Sequence, residues 1–421
     1  MSRTKKFKMT DLGPIPEDWE VRSMGEHSSI ARGGSPRPID AYLTTSASGV
    51  NWIKIGDSSV GGKYIYRTAE KIISEGVARS RLVHSGDLLL SNSMSFGRPY
   101  ILKIDGCIHD GWLVIQDYKE VFDTEFLYYV LGIPLTTNQY RALAAGSGVQ
   151  NLNKVLVSKV SIIGPRDICE QRRIAAALSD VDELIASLTE LLGKKRNLKK
   201  GAMQQLLTGK RRLPGFTGKW VEKRLGRCAQ IKARIGWQGL TTSEYLESGP
   251  YYLIGGTDFK DGRIDWDGCF HVSPERYRQD VYIQTRRNDV LVTKDGTIGK
   301  VAVLDDMPGP GTLNSGVYVI RSFDEKLSQV YLSWIFLSTR FDCFIDKLAA
   351  GSTISHLYQR DIVNFEFIVP PTIAEQKSIA EVLTDMDNEI AGVEAELEKA
   401  KNLKTGMMQQ LLTGKVRLEV A

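Results

Sequence analysis

The sequence gives its cysteines no obvious partners. Cys107, Cys169, Cys228, Cys269 and Cys343 are odd in number and contain no CxxC spacing, which argues against a disulfide scaffold or a zinc ribbon. No run of 18 apolar residues occurs, so no membrane-spanning helix is expected. The start, Met1 to Thr10, carries Arg3, Lys5, Lys6 and Lys8 but no apolar stretch of the kind a secretory signal needs. These absences predict a cytoplasmic protein in a reducing compartment, without contact to a membrane.

Catalytic constellations are missing too. A phosphate loop requires GxxxxGK[ST], and Gly296 to Val301 reads GTIGKV, with the wrong spacing and the wrong last residue. No Pro-Pro-Tyr tetrapeptide of the amino-methyltransferase kind is present, and Val369-Pro-Pro-Thr372 reads as a rigid lead into a helix. Asp258 and Lys260 look like a nuclease carboxylate and lysine but have no suitably placed acidic partner. The five histidines are scattered, and Cys269 with His271 would need two further ligands to hold a metal. The expectation is a chain that binds rather than catalyses, with no catalytic residues, metal or cofactor of its own.

Charge is present but unevenly placed. Between Lys194 and Arg234 lie 14 of the 55 basic residues and one of the 50 acidic ones, Glu222, leaving the rest of the chain net acidic. Such a stretch predicts a polyanion-facing surface; the plain alternative is a solvated basic helix end.

An internal repeat organises the chain. Glu170 to Leu213 and Glu375 to Leu418 share 25 of 44 positions without a gap, at an offset of 205 residues. Leu143 to Ser147 matches Leu348 to Ser352 at the same offset, and Gly86 to Arg98 aligns more loosely with Asn288 to Lys300. In the matched segments, Leu178, Val181, Ile185, Leu188 and Leu192 recur at three- and four-residue steps, as do Ile379, Leu383, Met386, Ile390, Val393 and Leu397. That is a heptad seam of about three heptads, and it predicts two long helices packed on each other within the chain. The intervening parts read as mixed α and β, with short β-rich runs at 50–55, 87–91, 111–115, 289–293 and 316–320. Helices are expected at Phe122–Leu131 and Val330–Leu337.

Basic and amide side chains near turns can enter a duplex groove, Arg or Lys on guanine and Asn or Gln on adenine. The candidates are Arg32, Lys54, Arg98, Gln150 and Asn151 in the first half, and Arg234, Lys294, Lys300 and His356 in the second.

Taken together and doubled, the motifs are specific. They are Pro165-x(4)-Glu170-Gln-x-x-Ile-Ala175-x-x-Leu178, Pro370-Pro371-x(3)-Glu375-Gln-x-x-Ile-Ala380-x-x-Leu383, Gln205-Leu-Leu-Thr-Gly-Lys210 with its twin Gln410 to Lys415, and Asp289-x(6)-Gly296-Thr-Ile-Gly-Lys300. Over essentially its whole length the chain resembles the specificity subunit of type I restriction–modification systems. The first half departs from the pattern by having Ser93 to Arg98 in place of the regular turn motif. The resemblance implies an α+β chain with two similar mixed α/β target recognition domains, 1–165 and 213–370. It implies helical spacers at 166–212 and 371–421, packed as an antiparallel intramolecular coiled coil. It further implies a non-catalytic subunit that reads a bipartite, asymmetric site in double-stranded DNA and directs adenine methylation and restriction by others. Two methyltransferase subunits and restriction/translocase subunits would be its partners, and S-adenosylmethionine, ATP and Mg2+ would belong to them. A structural adaptor with a basic surface and no sequence preference is the competing reading.

Overall fold

The computed structural model describes residues 6–58, 62–92, 96–144, 151–350 and 356–418. The chain divides into two compact units, Met1–Thr189 with Glu396–Ala421, and Glu190–Ala395.

In the first unit a five-stranded sheet runs in the order Ser29–Arg32, Trp112–Gln116, Leu88–Ser91, Pro99–Leu102, Tyr64–Ile65, antiparallel except at its last pair. Leu88 to Ser91 is apolar almost throughout rather than alternating, and all four residues are buried. The reason is two-sided cover, because side chains alternate across a strand. Leu88 and Leu90 join Ile101, Leu113 and Ile115 in one core, while Leu89 joins Tyr100, Trp112 and Val114 in another. The first core is closed by the helix Thr124–Gly132, whose N-cap Asp123 accepts from the amides of Glu125 and Phe126. The second faces another five-stranded sheet, ordered 43–44, 70–72, 50–53, 106–108, 81–83.

The second unit repeats this plan. Ala229–Ala233, Val317–Ser322, Val290–Thr293 and Val301–Val303 form an antiparallel sheet in that order. Val290 and Val292 point into a core with the helix Gln329–Phe336, and Leu291 points into one with Ala302 and Val319. The parallel pairing of 50–53 with 106–108 recurs as 251–254 with 311–313. The short ladder of Trp19–Ser23 on Ser161–Pro165 recurs as Val221–Arg224 on Glu366–Val369.

Two helices of 39 residues, Ile168–Leu206 and Ile373–Leu411, follow the ladders. They pair antiparallel. In the first unit Ile174, Ala175 and Leu178 share a core with Leu411 and Leu412; in the second Ile379, Ala380 and Leu383 share one with Leu206 and Leu207. The seam residues Val181, Leu188, Leu192, Ile390, Val393 and Leu397 are buried, and Ile185 and Met386 are half-buried. No described helix is long and apolar enough to cross a membrane.

Candidate nucleic-acid interface

In the second unit the strands Val290–Thr293 and Val301–Val303 are joined by a turn that carries Lys294 and Lys300. Two glycines with left-handed backbone, Gly296 at φ 69° and Gly299 at φ 78°, let the chain reverse there. Thr293 holds the turn shut. Its hydroxyl accepts from the Lys300 amide at 2.9 Å and donates to the Thr297 carbonyl at 2.5 Å, and its carbonyl accepts from the Gly299 amide at 2.9 Å. From outside, the Lys294 amide donates to the Gly316 carbonyl at 2.8 Å, and the Leu357 amide donates to the Lys294 carbonyl at 2.7 Å. Asp295 bridges backbone to backbone with His356, and the His356 ring also contacts the Asp295 carboxylate. The Lys300 side chain is exposed on this fixed base; Lys294 is half-buried, its ammonium 5.7 Å from the centre of the Tyr318 ring.

In the first unit different residues make matching bonds on either side of the corresponding segment. The Ser91 hydroxyl accepts from the Arg98 amide at 3.0 Å, and the Ser91 carbonyl accepts from the Gly97 amide at 2.9 Å. Gly97, at φ 73°, takes the place of Gly299. Asn92 stands where Lys294 does: its amide donates to Gly111 and its carbonyl accepts from the Leu152 amide. Ser93 to Ser95 lie outside the described residues, yet the flanking bonds match. Asn92 is buried, and its side-chain amide donates to the Asp110 carbonyl at 2.7 Å, so it braces this segment; the alignment of 86–98 with 288–300 points to the position.

The other candidates scatter. Arg32, at a strand end, is exposed and donates to the Asp110 carbonyl at 2.9 Å. The Lys54 ammonium pairs with Glu70 at 2.5 Å. Arg98 is half-buried, Asn151 is exposed, and Gln150 lies outside the described residues. Arg234 was expected at a groove, but it is only 2% exposed. Its guanidinium donates to the Leu313 carbonyl at 2.8 Å and the Thr312 hydroxyl at 3.2 Å, and burial holds its pKa below the usual guanidinium range.

The basic stretch is partly engaged within the fold. At least six of its side chains form ion pairs with acids: Lys194 with Glu190, Lys195 with Glu389, Arg196 with Glu394, Lys199 with Asp387, Arg212 with Glu375 and Lys223 with Asp324. Five of these six acids lie far away in sequence, so folding pairs off part of the local excess of charge and leaves the rest.

Those pairs identify what the repeated motif does. Glu375 is fully buried and receives Arg212 in a two-pronged contact at 2.8 and 2.5 Å. In the first unit Glu170 receives Arg417 at the same two distances, and Arg417 also binds Asp18. The bonded carboxylate holds each arginine above its ordinary pKa. The neighbouring glutamines act alike. Gln171 accepts from the Asp123 amide and donates to the carbonyls of Val121 and Pro165; Gln376 accepts from the Ser328 amide and donates to those of Lys326 and Pro370. Each Glu-Gln pair fastens a helix start to the rest of its unit. The signal was available in the sequence, since Arg212 and Arg417 are equivalent in the repeat.

The discarded catalytic readings find structural roles. Asp258 accepts from the Gly255 amide at 2.7 Å within a tight turn, and burial raises its pKa. Burial pushes the Cys269 thiol up to about 12. Among the described residues no group of three or more His, Cys, Asp or Glu is placed to hold a metal ion.

A family model described as "Type I restriction modification DNA specificity domain" matches residues 16–196 and 218–402. Three proteins of Methanocaldococcus jannaschii are similar over nearly the whole chain. One is the proposed type I restriction enzyme MjaX specificity subunit, 26% identical, covering 99% of this chain and 98% of its own length. The MjaVIII specificity subunit is 24% identical, covering 99% and 97%; the MjaIX specificity subunit is also 24% identical, covering 98% and 97%. Among solved structures, the S subunit of a type I restriction-modification system from M. genitalium matches with a TM-score of 0.62 at 14% identity, covering 100% of both chains. A chain from a study of complex assembly and conformational transition of the type I R-M system matches at 0.56 with 19% identity, covering 96% and 99%.

Proposed function

The chain belongs to the type I restriction modification DNA specificity family, and on that basis we propose that it is the DNA-reading subunit of a type I restriction–modification complex. Each unit reads one half of a bipartite, asymmetric site, and the paired helices hold the two readers in register. At about 1.5 Å per residue, a helix of 39 residues is on the order of 58 Å long, enough to act as a spacer. The observation that carries the reading is the pair of flanking hydrogen bonds made in both units, onto a Ser91 or Thr293 hydroxyl and carbonyl, with Arg98 at one position and Lys300 at its equivalent. A shared scaffold presenting different side chains is what two half-sites of different sequence require.

Two methyltransferase subunits dock on the helices. Leu198 in the second unit is 65% exposed and its repeat equivalent Leu403 in the first is 52% exposed, so each unit offers the same apolar position on a helix. Methyl transfer, ATP-driven restriction and their S-adenosylmethionine, ATP and Mg2+ belong to the partner subunits, and the complex works in the cytoplasm.

Mapping modified adenines with and without the gene tests the proposal. The expected result is a motif of two short defined halves separated by unspecified bases. A single continuous motif or a palindrome would overturn it, and binding without sequence preference would leave a basic adaptor. With Lys300→Ala in the assembled complex, discrimination should fall by about 1–3 kcal/mol at one position of one half-site if the side chain reads a base edge.

A further inference from the structure

The second unit contains an open groove of about 1160 Å³ between the helix that ends at Leu206 and the hairpin at Lys260–Arg263. Its wall is rich in cations, and they fall into two classes. Arg196, Lys199 and Arg263 are matched by Glu394, Asp387 and Asp305, which line the same groove. Lys260 pairs with Asp265 outside the lining. Lys200, Lys210, Arg287 and Arg340 line the groove too, are exposed, and have no acidic side chain within ion-pair distance among the described residues; of these, Arg340 is turned to the Glu366 carbonyl, to which its Nε donates at 2.9 Å. Two acids in the wall, Asp261 and Asp342, also lack such a partner, and burial together with nearby Asp346 raises the pKa of Asp342. The remaining lining includes the polar side chains of Gln204, Thr208 and Asn288.

The groove is not part of the shared plan. The repeat places Thr405 where Lys200 stands, and the alignment of 86–98 with 288–300 places Ser85 opposite Arg287. Arg196 and Lys199 pair across the two helices; Lys200, Lys210 and Arg287 serve neither the helix pair nor the Glu-Gln clasp. Exposed, flexible cations spread over two walls of an open polar groove suit a chain of regularly spaced negative charges approached from outside.

We infer that this groove is a docking track for one phosphodiester backbone of duplex DNA beside the half-site read by the second unit. The inference rests on the DNA-reading function proposed above and adds to it an interaction that reads no sequence. Lys200, Lys210 and Arg287 neutralise phosphates, while the turn bearing Lys300 meets the bases. With no equivalent of two of these cations in the first unit, the grip on the two half-sites is unequal, and the second is held more tightly by charge.

The test uses the assembled methyltransferase complex carrying Lys200→Gln, Lys210→Gln and Arg287→Gln together. Affinity for a cognate duplex and for one scrambled in both half-sites is measured over a range of salt. Each phosphate that is no longer neutralised should make the slope of log K against log salt shallower by about 0.9, so a total change of about 2–3 is expected. The ratio of cognate to scrambled affinity should stay within about twofold of the parent. These side chains are exposed, so the melting curve should be unchanged, and Arg287→Lys should retain its share of the slope. An unchanged slope overturns the inference, and so does a complex that no longer assembles, which would make the groove a protein-docking face. A parent complex that shows no preference for the cognate duplex sinks the DNA-reading proposal instead, a distinct result.

Discussion

Asp182 in the first unit receives the Lys404 ammonium at 2.6 Å and the Tyr129 hydroxyl at 2.6 Å. Asp387 in the second receives Lys199, whose ammonium lies 4.9 Å from the centre of the Trp334 ring. These are one arrangement made twice, since all three positions are related by the repeat offset of 205. The turn and its approach compare differently: Lys300 stands opposite Arg98 across the alignment, and Arg287 opposite Ser85. Fastening therefore keeps its chemistry while the outward side chains change theirs. A buried, paired group tolerates little substitution because its partner would be left unsatisfied. An exposed side chain on a closed turn can change without disturbing the bonds beneath it.

This comparison breaks most visibly in the cores. Leu178 and its equivalent Leu383 are both fully buried, so Leu178→Ala and Leu383→Ala should each cost about 2–5 kcal/mol. Hydrogen exchange should show the loss centred on the first unit for one variant and the second for the other. Identical protection maps would mean that the units do not respond separately.

The glutamine clasps come next. Gln171→Leu and Gln376→Leu each remove the side-chain partner of one backbone amide and two carbonyls, but in the first unit Arg22 still donates to both carbonyls, at 3.4 and 3.5 Å. Each group left buried and unpaired should cost about 1–3 kcal/mol, so denaturant midpoints should fall in both variants, and less for Gln171→Leu, whose carbonyls keep Arg22.

A pH titration sharpens a difference. Burial lowers the pKa of Lys63, in the first unit, from 10.5 to about 8. Between those values the unfolded chain holds a proton that the folded one has released, so stability should rise with pH from about 8 towards 10.5. In Lys63→Met that rise should disappear, as read from denaturant midpoints across the window. A parent whose midpoint stays flat there would remove the assignment.

The smallest effect belongs to the surface pair Lys195–Glu389, in which the glutamate is 63% exposed. Lys195→Gln should cost about 0.2–1 kcal/mol, less at high salt. A larger loss in thermal melts would show that the ion pairs along the helices carry more of the fold than their exposure suggests.

By itself the sequence determined that the chain is one plan made twice. The 205-residue offset, the heptad spacing and the buried runs at Leu88–Ser91 and Val290–Thr293 are local or periodic signals, legible without coordinates. The turn at Lys294–Lys300 was legible for the same reason, through its two glycines. Tertiary structure decided what those signals connect to. Arg212 meets Glu375 across 163 residues and Arg417 meets Glu170 across 247, so the last segment of the chain completes the first unit. The basic stretch gave up part of its excess charge to acids just as remote, and Arg234 turned inward to bond Leu313 and Thr312. Electrostatic and hydrogen-bond partners are chosen by distance in space, and a count along the chain measures only distance in sequence.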